Sequence, residues 1–244
     1  DWGTMADFVE VNVRGTRNVL DAAADRRVVH VSSVAGWGYA FSRDLDEGAW
    51  SRRTGAPYVD TKAASDELAL RRGAAVVRPG DVYGPGSIPW TIRPVEALRA
   101  RQLVLPGRGD GLMTLVYVDD LVDCIVRALR SEQAGGTAFT AWDGQPVTAR
   151  EFFGRYAQML GRRGVPTLPR PLVWAATLGL ELLARVSVGP ARAPRVSRQA
   201  IQYVSRRAVY PNTRARELLG WEPRVDLAEG MRRTEAWLRQ TGRL

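Results

Sequence analysis

Two hydrophobic periodicities alternate along the first 86 residues. Val9, Val13, Val19, Leu20 and Ala23 recur near a 3.6-residue period and predict a helix over Phe8 to Ala24. The run Arg27-Val-Val-His-Val-Ser-Ser33 is short and β-branched, the signature of a buried parallel strand. Residues 36–57 form a long loop rich in glycine, serine and charge, and loops of that length are often functional. Pro57 opens a second helix that runs to Arg71, with proline in its favoured first turn. Ala74 to Arg78 reads as a second buried strand, stopped by Pro79-Gly80. Helix then strand, twice over, predicts an α/β fold with a Rossmann-like, doubly wound parallel sheet.

Beyond residue 86 the alternation breaks down. The pattern predicts a helix over 91–101 and short strands at 103–106 and 113–117 around a turn at 107–111. A helix over 119–130, with Asp119 as a possible N-cap, and a strand over 138–141 follow. Val147 to Leu160 reads as a helix, with Thr148 as N-cap and Glu151 at the capping-box spacing. The last third is mostly helical. The expected division is one unit of 1–86, with 112–141 returning to it, and a smaller interleaved substrate domain of 87–111 and 142–244.

Composition changes this picture in a few places. A content of 45% hydrophobic and 25% charged residues is ordinary for a globular chain of 244 residues. The single cysteine, Cys124, excludes an intramolecular disulfide and any cysteine-based zinc site, and its helical setting predicts a buried, inert thiol. The single His30 excludes multi-histidine metal sites, and its apolar run predicts a packed or hydrogen-bonded ring. Charge is lopsided: residues 1–149 carry 17 basic and 19 acidic side chains, residues 150–244 carry 18 and 7. A basic C-terminal part attracts anionic substrates, lipids or nucleic acid. Its arginines are scattered, with no interleaved aromatics to stack on bases, which argues against nucleic acid. No secretory signal opens the sequence, so a cytoplasmic location is expected. Leu172 to Val188 is the most apolar stretch, but it contains Glu181 and Arg185 and is short for a bilayer span. It reads as an amphipathic helix serving the core, a homodimer contact or a peripheral membrane contact.

The chemistry centres on Lys62. It is the one lysine among 35 basic residues, and it follows Tyr58 by four positions. That spacing puts phenol and ammonium on one helix face. A cation beside a phenol favours phenolate, so the expectation is a lowered tyrosine pKa and a general acid/base pair for a hydroxyl or carbonyl. Ser33 ends the first strand 25 residues before Tyr58. In a doubly wound sheet, ligands bind outside the carboxyl ends of the strands, which puts Ser33 and the segment after Pro79-Gly80 on one rim.

With these residues the chain resembles the extended short-chain dehydrogenase/reductase family, the NAD-dependent epimerases, dehydratases and 3β-hydroxysteroid dehydrogenases. Asn12-Val-Arg-Gly15 resembles its helix before the serine strand, His30-Val-Ser32-Ser33 its serine segment, and Tyr58-x-x-x-Lys62 its catalytic pair. Arg78-Pro79-Gly80-x-x-Tyr83 resembles its turn against the nicotinamide; Tyr117 to Leu121 and Leu218 to Pro223 match further segments. The resemblance implies NAD or NADP as cofactor and a small-molecule substrate. Ser33, Tyr58 and Lys62 would be catalytic, and Asn12, Ser32, Tyr58, Lys62, Pro79, Gly80 and Val82 would contact the cofactor. No metal is implied. The family's glycine-rich phosphate turn has no counterpart, as though the chain began about 75–85 residues into the pattern, so weak or no dinucleotide binding is expected of it alone. Val34-Ala35 stand where the dehydratases carry Asp-Glu, which argues against a dehydratase. The leading expectation is oxidoreduction of a secondary alcohol on a hydrophobic or sterol-like substrate, with Trp37, Tyr39 and Trp90 lining an apolar pocket or packing a domain interface. A nucleotide-sugar epimerase is the alternative within the family. A non-catalytic dinucleotide sensor or an inert fragment is the alternative outside it.

Overall fold

The computed structural model describes residues 3–38, 47–48, 54–187, 198–207 and 209–244. The chain divides into two compact units. The first comprises Asp1–Gly80, Asp119–Trp142 and Tyr210–Pro223; the second comprises Asp81–Val118, Asp143–Val209 and Arg224–Leu244.

A parallel three-stranded sheet organises the first unit, in the order β1 (Val29–Val31), β2 (Ala75–Pro79), β7 (Ala138–Ala141). Every residue of β2 is buried, as its unbroken apolar run requires of a central parallel strand. Helices α1 (Met5–Phe8) and α2 (Gly15–Ala23) are joined by a π-helical segment, Val9–Arg14, in one continuous rod. Leu20 of α2 and Ala69 of α3 (Pro57–Arg71) share a core with Val76 and Ala138 of the sheet. A second cluster joins Val34, Trp37 and Tyr210, where the two rings stack at 5.6 Å. Near α5 (Val118–Arg130) and α9 (Thr213–Leu219), Trp221 Nε1 donates to Asp120 O at 2.9 Å and Arg127 Nη1 to Gly220 O at 2.9 Å. These bonds hold the returning segment 210–223 in place.

The second unit has three short ladders. β3 (Asp81–Tyr83) pairs in parallel with β6 (Leu115–Tyr117), β4 (Leu105–Pro106) with β9 (Thr167–Leu168), and β5 (Leu112–Met113) antiparallel with β8 (Val147–Thr148). Helices α4 (Arg93–Arg99), α6 (Ala149–Met159) and α10 (Leu227–Gln240) enclose a core of Tyr83, Leu98, Leu115, Phe152, Tyr156 and Leu238. The remaining helices are α7 (Arg170–Ser187) and α8 (Arg198–Val204). Helix α6 begins with the expected capping box between Thr148 and Glu151.

Four expectations need correction. β1 is three residues long and borders only β2 among the described residues, leaving Val31 42% exposed instead of buried. The strand stops at Pro79 as expected, but the Gly/Pro turn expected over 79–86 does not begin there. Gly80 donates its N–H to Ala141 O at 2.9 Å, and Asp81 N–H goes straight to Thr114 O at 2.6 Å, so the strand changes partners without bending back. The turn comes at Gly84–Gly86, where both glycines have positive φ. Asp119 is not an N-cap, because α5 starts at Val118; it lies in the first helical turn, where an acid suits the helix dipole. Segments 81–86 and 112–118 lie in the second unit and 210–223 in the first, because β3 pairs with β6 and Tyr210 stacks on Trp37.

Candidate functional site

Ser33 follows β1 directly and caps a 3₁₀ turn over Val34–Trp37, its Oγ accepting the N–H of Ala35 at 3.1 Å. Tyr58 lies in the first turn of α3, half-buried and edge-on to Phe8. Tyr58, Lys62 and Asp66 follow at four-residue steps on one helix face. The Ser33 hydroxyl lies near enough to the Tyr58 phenol to pull its pKa down. Lys62 Nζ donates to Val31 O at 3.4 Å, two residues before Ser33. The structure thus brings Ser33, Tyr58 and Lys62 together at the carboxyl end of β1. Parallel pairing of Val31 with Val77 carries Pro79-Gly80 to the same rim.

The electrostatics reverse one expectation. The Tyr58 pKa is raised, mainly because burial disfavours phenolate; the nearby Ser33 hydroxyl pulls it down and the Asp66 carboxylate pushes it up. Burial also lowers the Lys62 pKa, against a raising effect from Asp66. Desolvation therefore outweighs the pairing expected from the four-residue spacing. Asp66 is 1% exposed and accepts from Arg78 Nε at 2.8 Å. The Arg78 guanidinium lies 4.5 Å over Trp37 and donates to Glu47 O at 2.9 Å. His30 Nε2 is 3.2 Å from Ser65 Oγ and 3.6 Å from Asp66, and burial lowers its pKa. It is the hydrogen-bonded ring the sequence predicts.

The other expected contact residues divide. Ser32 is 6% exposed, and its Oγ has no hydrogen-bond partner among the described residues. Asn12 Nδ2 donates to Thr61 Oγ1 at 3.0 Å, tying the π-helical segment to the helix that carries Tyr58 and Lys62. Pro79 and Gly80 lie at the rim, but the Gly80 N–H is already used by Ala141. Val82 is in the second unit, half-buried in β3, where its carbonyl accepts from Ser87 Oγ at 2.7 Å. Trp37 is only 7% exposed and committed to its stack with Tyr210, whereas Trp90 packs against Tyr203 and Phe153; Tyr39 lies outside the described residues. Val34 and Ala35 are buried and apolar, so no acid stands there. Asp66 escaped the sequence reading, although its position four residues after Lys62 was a usable signal. No group of three or more metal-binding side chains occurs among the described residues. A surface groove of about 550 Å³ lies wholly in the second unit, lined by Arg150, Arg155, Arg163 and Val165 among others, and by none of the expected site residues.

Three comparisons bear on this geometry. The chain is 27% identical over 250 residues to a 3beta-hydroxysteroid-dehydrogenase/decarboxylase of Arabidopsis thaliana, covering 92% of this chain but only 44% of that protein. It is 32% identical over 250 residues to the UDP-glucose 4-epimerase of Mycolicibacterium smegmatis, covering 94% of this chain and 68% of that one. An epimerase from Methanothermobacter thermautotrophicus superposes with a TM-score of 0.75 at 21% identity, over 96% of this chain and 66% of that chain, a likeness of fold. The profile of the NAD dependent epimerase/dehydratase family matches residues 1–140, more than half of the sequence, and the chain belongs to that family.

Proposed function

We propose that the protein carrying this chain interconverts a secondary alcohol and a ketone with NAD, on a hydrophobic or sterol-like substrate. The observation that carries this reading is that Ser33 and Lys62 both lie beside Tyr58 at the end of β1. Ser33 would hold the substrate oxygen, and Tyr58 would pass a proton to or from it. With its pKa raised by burial, Tyr58 rests as a neutral phenol, ready to act as the acid in ketone reduction. The NAD dependent family implies the cofactor, and the residues fit one. Among the described residues, Ser32 offers a buried hydroxyl without a partner, and Lys62 Nζ makes one hydrogen bond, a long one, of the three it can donate. Lys62 and Tyr58 would hold NAD together with Asn12, Ser32, Pro79 and Gly80, with Gly80 contributing a surface and not its N–H. NAD, when bound, supplies the hydride acceptor or donor. The Arabidopsis relative supports the sterol-like substrate.

A nucleotide-sugar epimerase is the second reading, favoured by the 32% identity to the mycobacterial epimerase and by the basic excess beyond residue 150. An assay against 3β-hydroxysteroids, 3-ketosteroids and UDP-sugars separates the two. Turnover of the steroids is expected; turnover of UDP-sugars alone would replace the first reading with the second. Tyr58→Phe should lower turnover by about 10²-fold or more. A rate near that of the unaltered protein removes Tyr58 from the mechanism. The pH dependence has a definite sign. Reduction needs the phenol, so its rate should hold through neutral pH and fall only above the ordinary tyrosine value of 10.0. Oxidation needs phenolate and should rise over the same range.

A further inference from the structure

Helix α7 shows an inverted burial pattern. Its polar Thr177 is 3% exposed, whereas Leu172 is 59% and Trp174 43% exposed. Leu168, just before the helix, is 47% exposed. Pro171, Ala175 and Ala176 are exposed as well, so the first two turns present a continuous small apolar face. Burial in the core accounts for this part of the helix no better than spanning does: no helix among the described residues is long and apolar enough to cross a membrane.

A basic collar adjoins that face. The β4–β9 ladder, closed by Gly107 N–H to Leu168 O at 2.8 Å, sets the turn 107–110 beside the start of α7. In that turn Asp110 accepts from Arg170 Nη2 at 3.2 Å and also pairs with Arg207. Arg150 Nε donates to the carbonyl of Arg108 at 2.8 Å, which brings a further guanidinium group to the turn. Asp110 thus pairs with two arginines, Arg170 and Arg207, and the exposed Arg108 and Arg150 add positive charge at the same turn. Residues 150–244 as a whole carry 18 basic and 7 acidic side chains. Leucine and tryptophan flanked by excess arginine are the composition of a helix lying in the headgroup plane of an anionic bilayer.

We propose that Leu168, Leu172 and Trp174, with this arginine collar, form a peripheral docking face for an anionic lipid surface. The apolar side chains enter the interface, and the arginines meet the headgroups. The face lies wholly in the second unit, and the inference is independent of the catalytic reading.

The test is sedimentation with phosphatidylcholine vesicles, with and without phosphatidylglycerol, beside light scattering of the vesicle-free protein. The expected result is binding to the anionic vesicles that weakens with salt. Leu172→Glu and Trp174→Glu should each reduce it by about tenfold or more, and Arg108→Gln with Arg207→Gln should reduce it while leaving the apolar face intact. All four positions are exposed, so unchanged melting curves will separate lost docking from lost folding. Three results would overturn the proposal: no sedimentation with anionic vesicles, equal and salt-independent binding to both vesicle types, or a dimer in solution that Leu172→Glu dissociates, which would assign the face to a second copy of the chain.

Discussion

Asp81 and Arg206 have no exposed side-chain surface, and their carboxylate and guanidinium meet at 2.6 Å. The same carboxylate accepts the Thr114 N–H at 2.8 Å and the Tyr203 hydroxyl at 2.5 Å. A charge pair so enclosed contributes little over an apolar pair of equal volume, but removing one member strands the other. Asp81→Asn should therefore cost about 3–5 kcal/mol in urea denaturation, and adding Arg206→Met should recover much of it. A loss below about 1 kcal/mol for the single change would mean that water reaches the pair. Legibility at this scale follows the same division between near and buried. Ser33, Tyr58 and Lys62 could be read from spacing because a helix turn and a strand end fix them locally. The sign of the Tyr58 shift could not, because it depends on burial and on Asp66, whose Arg78 partner comes from the next strand. The Asp81–Arg206 pair spans 125 residues of sequence and carries no local signal at all.

At the scale of elements, α10 passes so close to β3 that Gly230 has almost no room for a side chain. A Cβ there would sit 2.1 Å from the Tyr83 hydroxyl oxygen and 2.8 Å from Cζ. Tyr83 cannot easily move: it is 1% exposed and lies edge-on to Tyr117 at 5.5 Å and to Phe152 at 5.9 Å. Replacing glycine by alanine inside a helix ordinarily stabilises by about 0.5–1 kcal/mol. Here overpacking of a rigid ring costs about 1–3 kcal/mol and decides the sign. Gly230→Ala should thus lower the melting temperature, and Tyr83→Phe should recover part of the loss in the double variant because the nearest clash is with the hydroxyl. A melting temperature at or above that of the unaltered protein would show that α10 can shift away from β3. The helices themselves were legible wherever an amphipathic period met a cap, as at Pro57 for α3 and Thr148 for α6. The strands were less so. Val29–Val31 has the composition of a central strand but pairs on one side only among the described residues, and pairing is a property of the neighbours. The passage from β2 to β3 through Gly80 was hidden for a similar reason: a Pro-Gly pair reads as a turn until the partners of the next residue are known.

For the whole molecule, alkaline pH sets two effects against each other. The formal charge is +9 at pH 7 and the isoelectric point about 10.5, so raising the pH relieves self-repulsion and should stabilise the compact state slightly. Each unit, however, holds a buried acid that resists ionisation. In the first, Cys124 is fully buried and its thiol is pushed from the ordinary value of 9.0 up to about 12. In the second, burial raises the Tyr156 phenol above 10.0 despite its hydrogen bond with Thr91 at 3.0 Å. Above pH 9 the unfolded chain releases the thiol proton while the folded chain keeps it, so the unfolded state binds fewer protons and stability falls as pH rises. The loss from Cys124 alone approaches about 1.4 kcal/mol per pH unit between about 9 and about 12. Relief of diffuse surface repulsion, screened by salt, is a smaller effect at ordinary ionic strength. Net destabilisation should therefore begin below the isoelectric point. Melting temperatures measured from pH 8 to pH 11 should fall, and Cys124→Ala, although less stable at pH 8 for its lost packing, should fall with a distinctly shallower slope. Parallel slopes for the two proteins would mean that the thiol ionises freely in the folded state and that Cys124 is not the sealed core residue its burial implies.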